Sequence, residues 1–209
     1  MTPVIVPSRR TLVALAVGLL LVLVAGGAAW FWLAAERSRV MAAYADVLGR
    51  IAPAQRPQAT PEARAAATRD LEAILTRYPS AAAAPQAAYD LGNLRYDATQ
   101  YPAARAAYEV ALARGATGTL RTLAQAGVGY AREAEGDFLK AIDAYRLALA
   151  GVGPGDFYYE ALLADLGRAQ ELAEQKADAI ATYQRILKEL PQARRAEEIR
   201  ARLRGLGGS

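Results

Sequence analysis

Three segments of this chain repeat a glycine, an alanine and a tyrosine at one internal spacing. In each segment the alanine follows the glycine by twelve residues, the tyrosine comes four residues later, and one further position lies three residues beyond. The columns are Gly92, Gly129 and Gly167; Ala104, Ala141 and Ala179; Tyr108, Tyr145 and Tyr183; and Ala111, Ala148 and Ile186. Alanine richness could supply one column, but three residue types in one register, offset by 37 and then 38 residues, indicate a repeated structural unit.

The spacing favours pairs of antiparallel helices that cross closely. Glycine and alanine at a crossing let the helix axes approach to the short end of the usual ~8–10 Å. The tyrosine and the residue three positions later share one helical face, and we expect them to pack against the next hairpin. Turn-forming segments separate the two helices of each unit at 97–102, 135–138 and 173–176, and glycine-containing breaks separate the units at 113–119 and 151–156.

These columns resemble the tetratricopeptide repeat (TPR) family, whose unit is a helix-turn-helix hairpin. Beyond the columns, the matching residues are Leu91 and Tyr101 in the first unit, Phe138 in the second, and Leu166 and Pro191 in the third. The chain departs from the family at Ile186 and Lys176, and its offsets exceed the usual length of about 34 residues. The resemblance covers roughly 85–191 and implies an α-solenoid of stacked hairpins.

We therefore predict an all-α protein in which a single transmembrane helix precedes a TPR-like α-solenoid and a C-terminal capping helix. Thr60, Pro61 and Glu62 are typical of a helix start, after a proline-containing break. The predicted repeat domain is 61–191, with a partial unit at 61–84, units at about 85–118, 122–155 and 160–193, and a capping helix with a glycine-rich tail at 192–209.

An apolar run near the N-terminus predicts a membrane anchor at 11–35, after a short tail at 1–10. Thr11–Leu33 gives 23 apolar or small residues, and a bilayer core of ~30 Å needs roughly 20 in a helix. Trp30 and Trp32 lie at the end of the run, where aromatic rings favour the membrane interface. A cleaved signal peptide is the alternative, but its apolar region usually spans only ~7–15 residues. Residues 36–60 are predicted to extend the helix and link it to the repeats.

The charges around the anchor bear on its orientation. Arg9 and Arg10 precede it, whereas Arg37 and Arg39, partly offset by Glu36, follow it. A short N-terminal tail before one anchor usually stays inside. We therefore expect a single-pass protein of the bacterial inner membrane, with its C-terminal domain periplasmic or otherwise extracytoplasmic.

Composition narrows the functional classes. The chain of 209 residues has no cysteine and no histidine, which removes the usual zinc ligands and the usual catalytic triads. Arg9 and Arg10 are the only charges in the first 35 residues, so the remainder carries 23 basic against 21 acidic groups, out of 25 and 21 in the whole chain. This balance does not suit a nucleic-acid binder. We expect no enzymatic activity, cofactor, metal or nucleic-acid partner.

The resemblance implies that exposed positions of each first helix line a concave face that binds peptides or protein segments. Carried over to this chain, the candidate protein-binding residues are Tyr89, Asn93, Tyr96, Tyr130, Glu133, Arg168 and Glu171. The overall layout also resembles the ancillary subunit of the Sec translocon, so translocon subunits or periplasmic chaperones are the expected partners. An envelope scaffold for cell division or cell-wall assembly, self-associating through the repeat ends, remains the alternative.

Overall fold

A computed structural model describes residues 9–56 and 58–208, with the side chains of 11–17 also outside the described set. Every regular element in these residues is helical, which confirms the predicted all-α class. The elements are α1 (Arg9–Ile51), a 3-10 turn (Ala52–Gln55), α2 (Pro61–Arg77), α3 (Ala84–Asp97), α4 (Tyr101–Ala113), α5 (Gly118–Ala134), α6 (Phe138–Leu149), α7 (Tyr159–Leu172), α8 (Lys176–Glu189) and α9 (Ala196–Gly205).

Helix α1 is long and apolar enough, by its length and composition, to cross a membrane. The candidate membrane-spanning stretch begins at Gly18, has a mean hydropathy of 2.0, and is not buried within the protein. Trp30 and Trp32 are 72% and 65% exposed, so the protein itself provides no core for these rings. The predicted anchor at 11–35 lies within this helix, whereas most of the predicted tail lies outside the described residues.

Contacts between residues divide the chain into two units, 1–43 and 44–209. The last two turns of α1 therefore belong to the second unit, although residues 36–60 were predicted to be a helix extension and linker. Tyr44, Val47 and Ile51 are buried, and the Tyr44 hydroxyl donates a hydrogen bond of 2.8 Å to the carbonyl oxygen of Tyr78. The end of α1 thus supplies core residues beside α2.

The second unit is a series of antiparallel helical hairpins. Helices α3 and α4, α5 and α6, and α7 and α8 form the hairpins, and each helix from α2 onwards also contacts the next one along the chain. Helix α9 packs on α8, where Ile199 and Leu203 join the core around Tyr183 and Ile186. The hairpin stack with a terminal capping helix is as predicted.

The repeat columns meet inside the hairpins. The ring of Tyr108 lies on Gly92, that of Tyr145 on Gly129, and that of Tyr183 on Gly167. Each ring contacts the glycine of its own hairpin, because glycine leaves the ring room to lie on the helix backbone. The expected packing against the next hairpin is also present, since Tyr145 shares a core cluster with Leu166 and Ala169 of α7. Tyr108 additionally contacts Gly127 of the following hairpin. The alanine columns and Ile186 are fully buried around these contacts.

The turn inside each hairpin has one left-handed residue at a fixed place. Thr99, Gly136 and Glu174 each follow the repeat glycine by seven residues and have φ of 59°, 78° and 60°. In each case the next backbone N–H donates a hydrogen bond back to the helix, as from Asp137 to the Arg132 carbonyl oxygen at 2.9 Å. This geometry ends α3, α5 and α7 with a left-handed cap, which satisfies their terminal carbonyl groups.

Candidate protein-binding face

The predicted binding residues occupy one face of the first helices of the hairpins, α3, α5 and α7, called here the first-helix face. Asn93, Tyr130 and Arg168 each follow a repeat glycine by one residue, and Tyr96, Glu133 and Glu171 follow it by four. Tyr89 lies three residues before Gly92. These offsets select one helical face, and all seven side chains are partly exposed.

A cavity of about 160 Å³ opens on this face. Tyr89, Asn93 and Tyr130 contribute to its wall, together with Tyr108 and Tyr158. The remaining lining residues are Thr122, Leu123, Ala126, Gly127, Ala161 and Leu162, so side chains of all three hairpins meet there. Asn93 is held in place because its Oδ1 accepts a hydrogen bond of 2.9 Å from the Tyr108 hydroxyl.

A second cavity, of about 190 Å³, shares Tyr130 with the first. Its lining residues are Tyr96, Tyr130, Glu133, Ala134, Phe138, Arg168 and Leu172. Six of the seven predicted residues therefore line two adjoining cavities. Glu171 is the exception: its carboxylate accepts hydrogen bonds from the Tyr183 hydroxyl and from Arg202 of α9, so it connects α7 to the capping helix.

An ion-pair network crosses the second cavity from one hairpin to the next. Arg168 of α7 donates two hydrogen bonds to Glu133 of α5, at 2.8 and 3.0 Å, and its guanidinium lies 2.9 Å from the carboxylate of Asp165. Asp165 also accepts a hydrogen bond of 2.7 Å from the Tyr130 hydroxyl, and Glu133 accepts one of 3.0 Å from Tyr145. The bonds to Glu133 raise the pKa of Arg168, which therefore remains charged.

Tyrosine rings connect the two cavities. The ring centroids of Tyr96 and Tyr130 are 6.5 Å apart, and those of Tyr89 and Tyr108 are 5.8 Å apart. Tyr130 also lies 5.6 Å from Tyr145 in an edge-to-face arrangement. Burial, followed by the nearby Asp165 carboxylate, raises the pKa of Tyr130, so its phenol stays protonated at neutral pH.

The structure adds residues that were not predicted as part of the site, among them Tyr158, Asp165 and Phe138. Tyr158 follows the glycine-containing break at 151–156; its neighbour Tyr159 is buried, whereas Tyr158 lines the first cavity. Asp165 precedes Gly167 by two residues, as Asp90 precedes Gly92, and both are buried. The recurrence of an aspartate at this position is the pattern from which Asp165 could have been predicted.

Comparison with known proteins does not assign a family. No protein-family model matches this sequence, and no curated protein matches it. Within the described residues, no group of three or more acidic side chains is arranged to hold a metal ion. The face carries a paired ion network and a row of tyrosines on partly exposed helices.

Proposed function

We propose that this protein is a membrane-tethered adaptor of the TPR type, whose first-helix face binds segments of other proteins. One observation carries the proposal: side chains from three successive hairpins line two adjoining cavities, and six of the seven residues that were predicted to bind are among them. Stacked repeats create extended binding surfaces of this kind, and such grooves accept peptide segments. The proposal is one of binding, without a catalytic role.

Helix α1 gives the adaptor its place of action. A tether at the membrane raises the effective concentration of the face near membrane partners, so that weak contacts are sufficient. We place the repeats on the outer side of a bacterial inner membrane, with Arg9 and Arg10 at the inner end of the anchor. Subunits of the Sec translocon, or periplasmic chaperones that work with it, are the partners that this layout favours.

In vivo photo-crosslinking tests the proposal. A photoreactive phenylalanine analogue replaces Tyr96 or Tyr130 in the full chain, and the matched control carries it at Leu139 or Leu147. Both leucines are well exposed, at 60% and 58%, and neither lines the two cavities. We expect crosslinks to other proteins from the two tyrosine positions only.

The identity of the crosslinked proteins separates the adaptor from its alternative. Translocon subunits or chaperones support the adaptor, whereas cell-division proteins, cell-wall enzymes or copies of this chain favour an envelope scaffold. Equal crosslinking from the leucine and tyrosine positions, or none from the tyrosines, contradicts binding at the first-helix face.

A further inference from the structure

The two adjoining cavities form one surface, called here the tyrosine groove, whose aromatic wall is Tyr89, Tyr96, Tyr108, Tyr130 and Tyr158. Small residues, Ala126 and Gly127 among them, also line the groove. The faces of tyrosine rings carry a negative quadrupole, which attracts ammonium and guanidinium groups within about 6 Å.

The charges that line the groove are few and already paired. Among the described lining residues, Arg168 is the only basic side chain and Glu133 the only acidic one. The Arg168 guanidinium is engaged by the carboxylates of both Glu133 and Asp165. An incoming carboxylate would therefore have to compete with two others for this cation.

Within the ion-pair network that crosses the groove, the balance of charge is negative; the nearby Arg195 is paired with Glu198 at 2.8 Å. Glu133 and Asp165 against Arg168 leave a formal charge of −1, from two carboxylates and one guanidinium. The exposed carboxylate of Asp97 adds to it, since Asp97 contributes to the raised pKa values of Tyr96 and Tyr108, whose main cause is burial. A groove that combines the partly exposed Tyr89, Tyr96 and Tyr130 with a net negative ion-pair network is complementary to a cation.

We infer, on the basis of the proposed function, that the tyrosine groove binds an extended protein segment through a lysine or arginine side chain stacked on its rings. The aliphatic part of such a side chain contacts the tyrosines and the small lining residues, while its charge lies beside Glu133. The partner is thus a basic segment, and an acidic segment is disfavoured.

A peptide selection tests this inference. The full chain in nanodiscs is incubated with a pool of random nonapeptides, and the retained peptides are sequenced by mass spectrometry against empty nanodiscs. We expect lysine and arginine to be enriched about 3-fold or more over the input pool, with aspartate and glutamate depleted. Raising the salt concentration should reduce the enrichment, since the charges at the groove are partly exposed to solvent.

Variants assign the preference to the groove. Glu133→Gln removes one negative charge and should reduce the basic enrichment, whereas Arg168→Gln removes the cation and should increase it. Tyr96→Leu keeps an apolar side chain but removes a ring, and should also reduce it. The matched control is Asp143→Asn, an equal charge change at a well-exposed carboxylate outside the groove, which should have no effect. Helix content of every variant is checked by circular dichroism.

The outcomes separate this inference from the proposed function. Retained peptides with no basic preference, or with an acidic one, overturn the inference and leave peptide binding at the face intact. The same holds if Asp143→Asn changes the preference as much as Glu133→Gln does. No peptide retained above empty nanodiscs overturns both.

Discussion

Each repeat glycine of this protein lies beneath a tyrosine ring from the other helix of its hairpin. A Cβ atom at Gly92, Gly129 or Gly167 would come within 3.0 Å of three atoms of that ring. The rings are themselves buried, Tyr145 and Tyr183 completely, so they cannot move aside without disturbing the core. At these positions one contact with a tyrosine ring therefore requires glycine. The same contact explains why glycine and tyrosine recur together.

We expect Gly129→Ala to lower the free energy of unfolding by about 1–3 kcal/mol, because the added methyl group overpacks the Tyr145 ring. Gly49→Ala is the matched control: Gly49 lies in α1, and nothing lies within 4 Å of a Cβ placed there. That change should leave stability unchanged or raise it by up to about 1 kcal/mol, since alanine favours the helix. Urea unfolding of the full chain in detergent, followed by circular dichroism, provides the measurement. Equal stability of the two variants would contradict the ring-on-glycine contact.

Two buried acids at one repeat position differ in their partners. Asp165 pairs with Arg168, whereas Asp90 has hydrogen bonds of 3.2 Å from the Gln86 amide and, in the described residues, no ion pair. Burial raises the pKa of Asp90 above its ordinary 3.8. A raised folded-state pKa means that the contribution of this group to stability is fully present below about pH 3.8 and is lost as the pH rises through the folded-state pKa.

Asp90→Asn should therefore raise the free energy of unfolding at pH 7, and this gain should vanish as the pH falls towards 3.8. Asp165→Asn should instead lower the free energy of unfolding at pH 7 by about 1–3 kcal/mol, because it removes the charge that faces Arg168 and weakens the hydrogen bond from the Tyr130 hydroxyl. Unfolding measured across this pH range tests both. A loss of stability at pH 7 from Asp90→Asn would show that the buried carboxylate is compensated.

At the scale of the element, all three hairpins have a left-handed residue after their first helix. Only Gly136 of the three is glycine; Thr99 and Glu174 adopt a conformation that costs a residue with a side chain roughly 1–2 kcal/mol. For Thr99 the branched Cβ makes this backbone unusual. The hairpin geometry thus imposes the turn on whatever residue the sequence supplies there.

Thr99→Gly should raise the free energy of unfolding by about 0.5–1 kcal/mol, the relief of the left-handed conformation less the added entropy of the unfolded chain. Gly136→Ala, which places a side chain at the equivalent position of the second hairpin, should lower it by a similar amount. Thermal unfolding of the two variants beside the parent chain provides the comparison. The turn assignment would fail if Thr99→Gly were destabilising.

At the scale of the whole molecule, the stack of hairpins is held by buried tyrosines that link consecutive helices. Burial is the main cause of the raised pKa values of Tyr108, Tyr145 and Tyr183, and acidic neighbours, among them Asp97, Glu133 and Glu171, raise all three further. The folded state therefore favours the neutral phenol. The stability that the buried neutral phenols contribute is fully present below about pH 10 and is lost as the pH rises above it.

Alkaline titration should accordingly be cooperative. We expect the phenolate absorbance of the buried tyrosines to appear only above about pH 10, together with loss of helical circular dichroism from the repeats, because a buried phenolate is not tolerated in the stack. Simultaneous recording of absorbance and circular dichroism tests this. Ionisation of all 11 tyrosines with the helices intact would contradict the burial that the structure shows.

Much of the fold could be predicted because its causes are local. Helix positions, hairpin pairing and the packing role of the alanine columns depend on spacings of a few residues, and the spanning-length helix depends on composition. The pairing of Tyr145 with Gly129 could not be predicted, since both a neighbouring hairpin and the same hairpin satisfy the spacing. Likewise, Glu133 and Arg168 were predicted as separate contacts, although they bind each other across 35 residues.

The residues of the candidate site divide in the same way. Membership of the first-helix face follows from helical periodicity, so the offsets from each glycine were sufficient to name six of the residues that line the cavities. The partners of those residues depend on how far one hairpin is rotated against the next, a quantity that sums many weak packing contacts and leaves no short-range pattern in the chain. For that reason only the folded stack shows that Tyr158 lines a cavity, that Asp165 pairs with Arg168, and that Glu171 binds Arg202 of the capping helix.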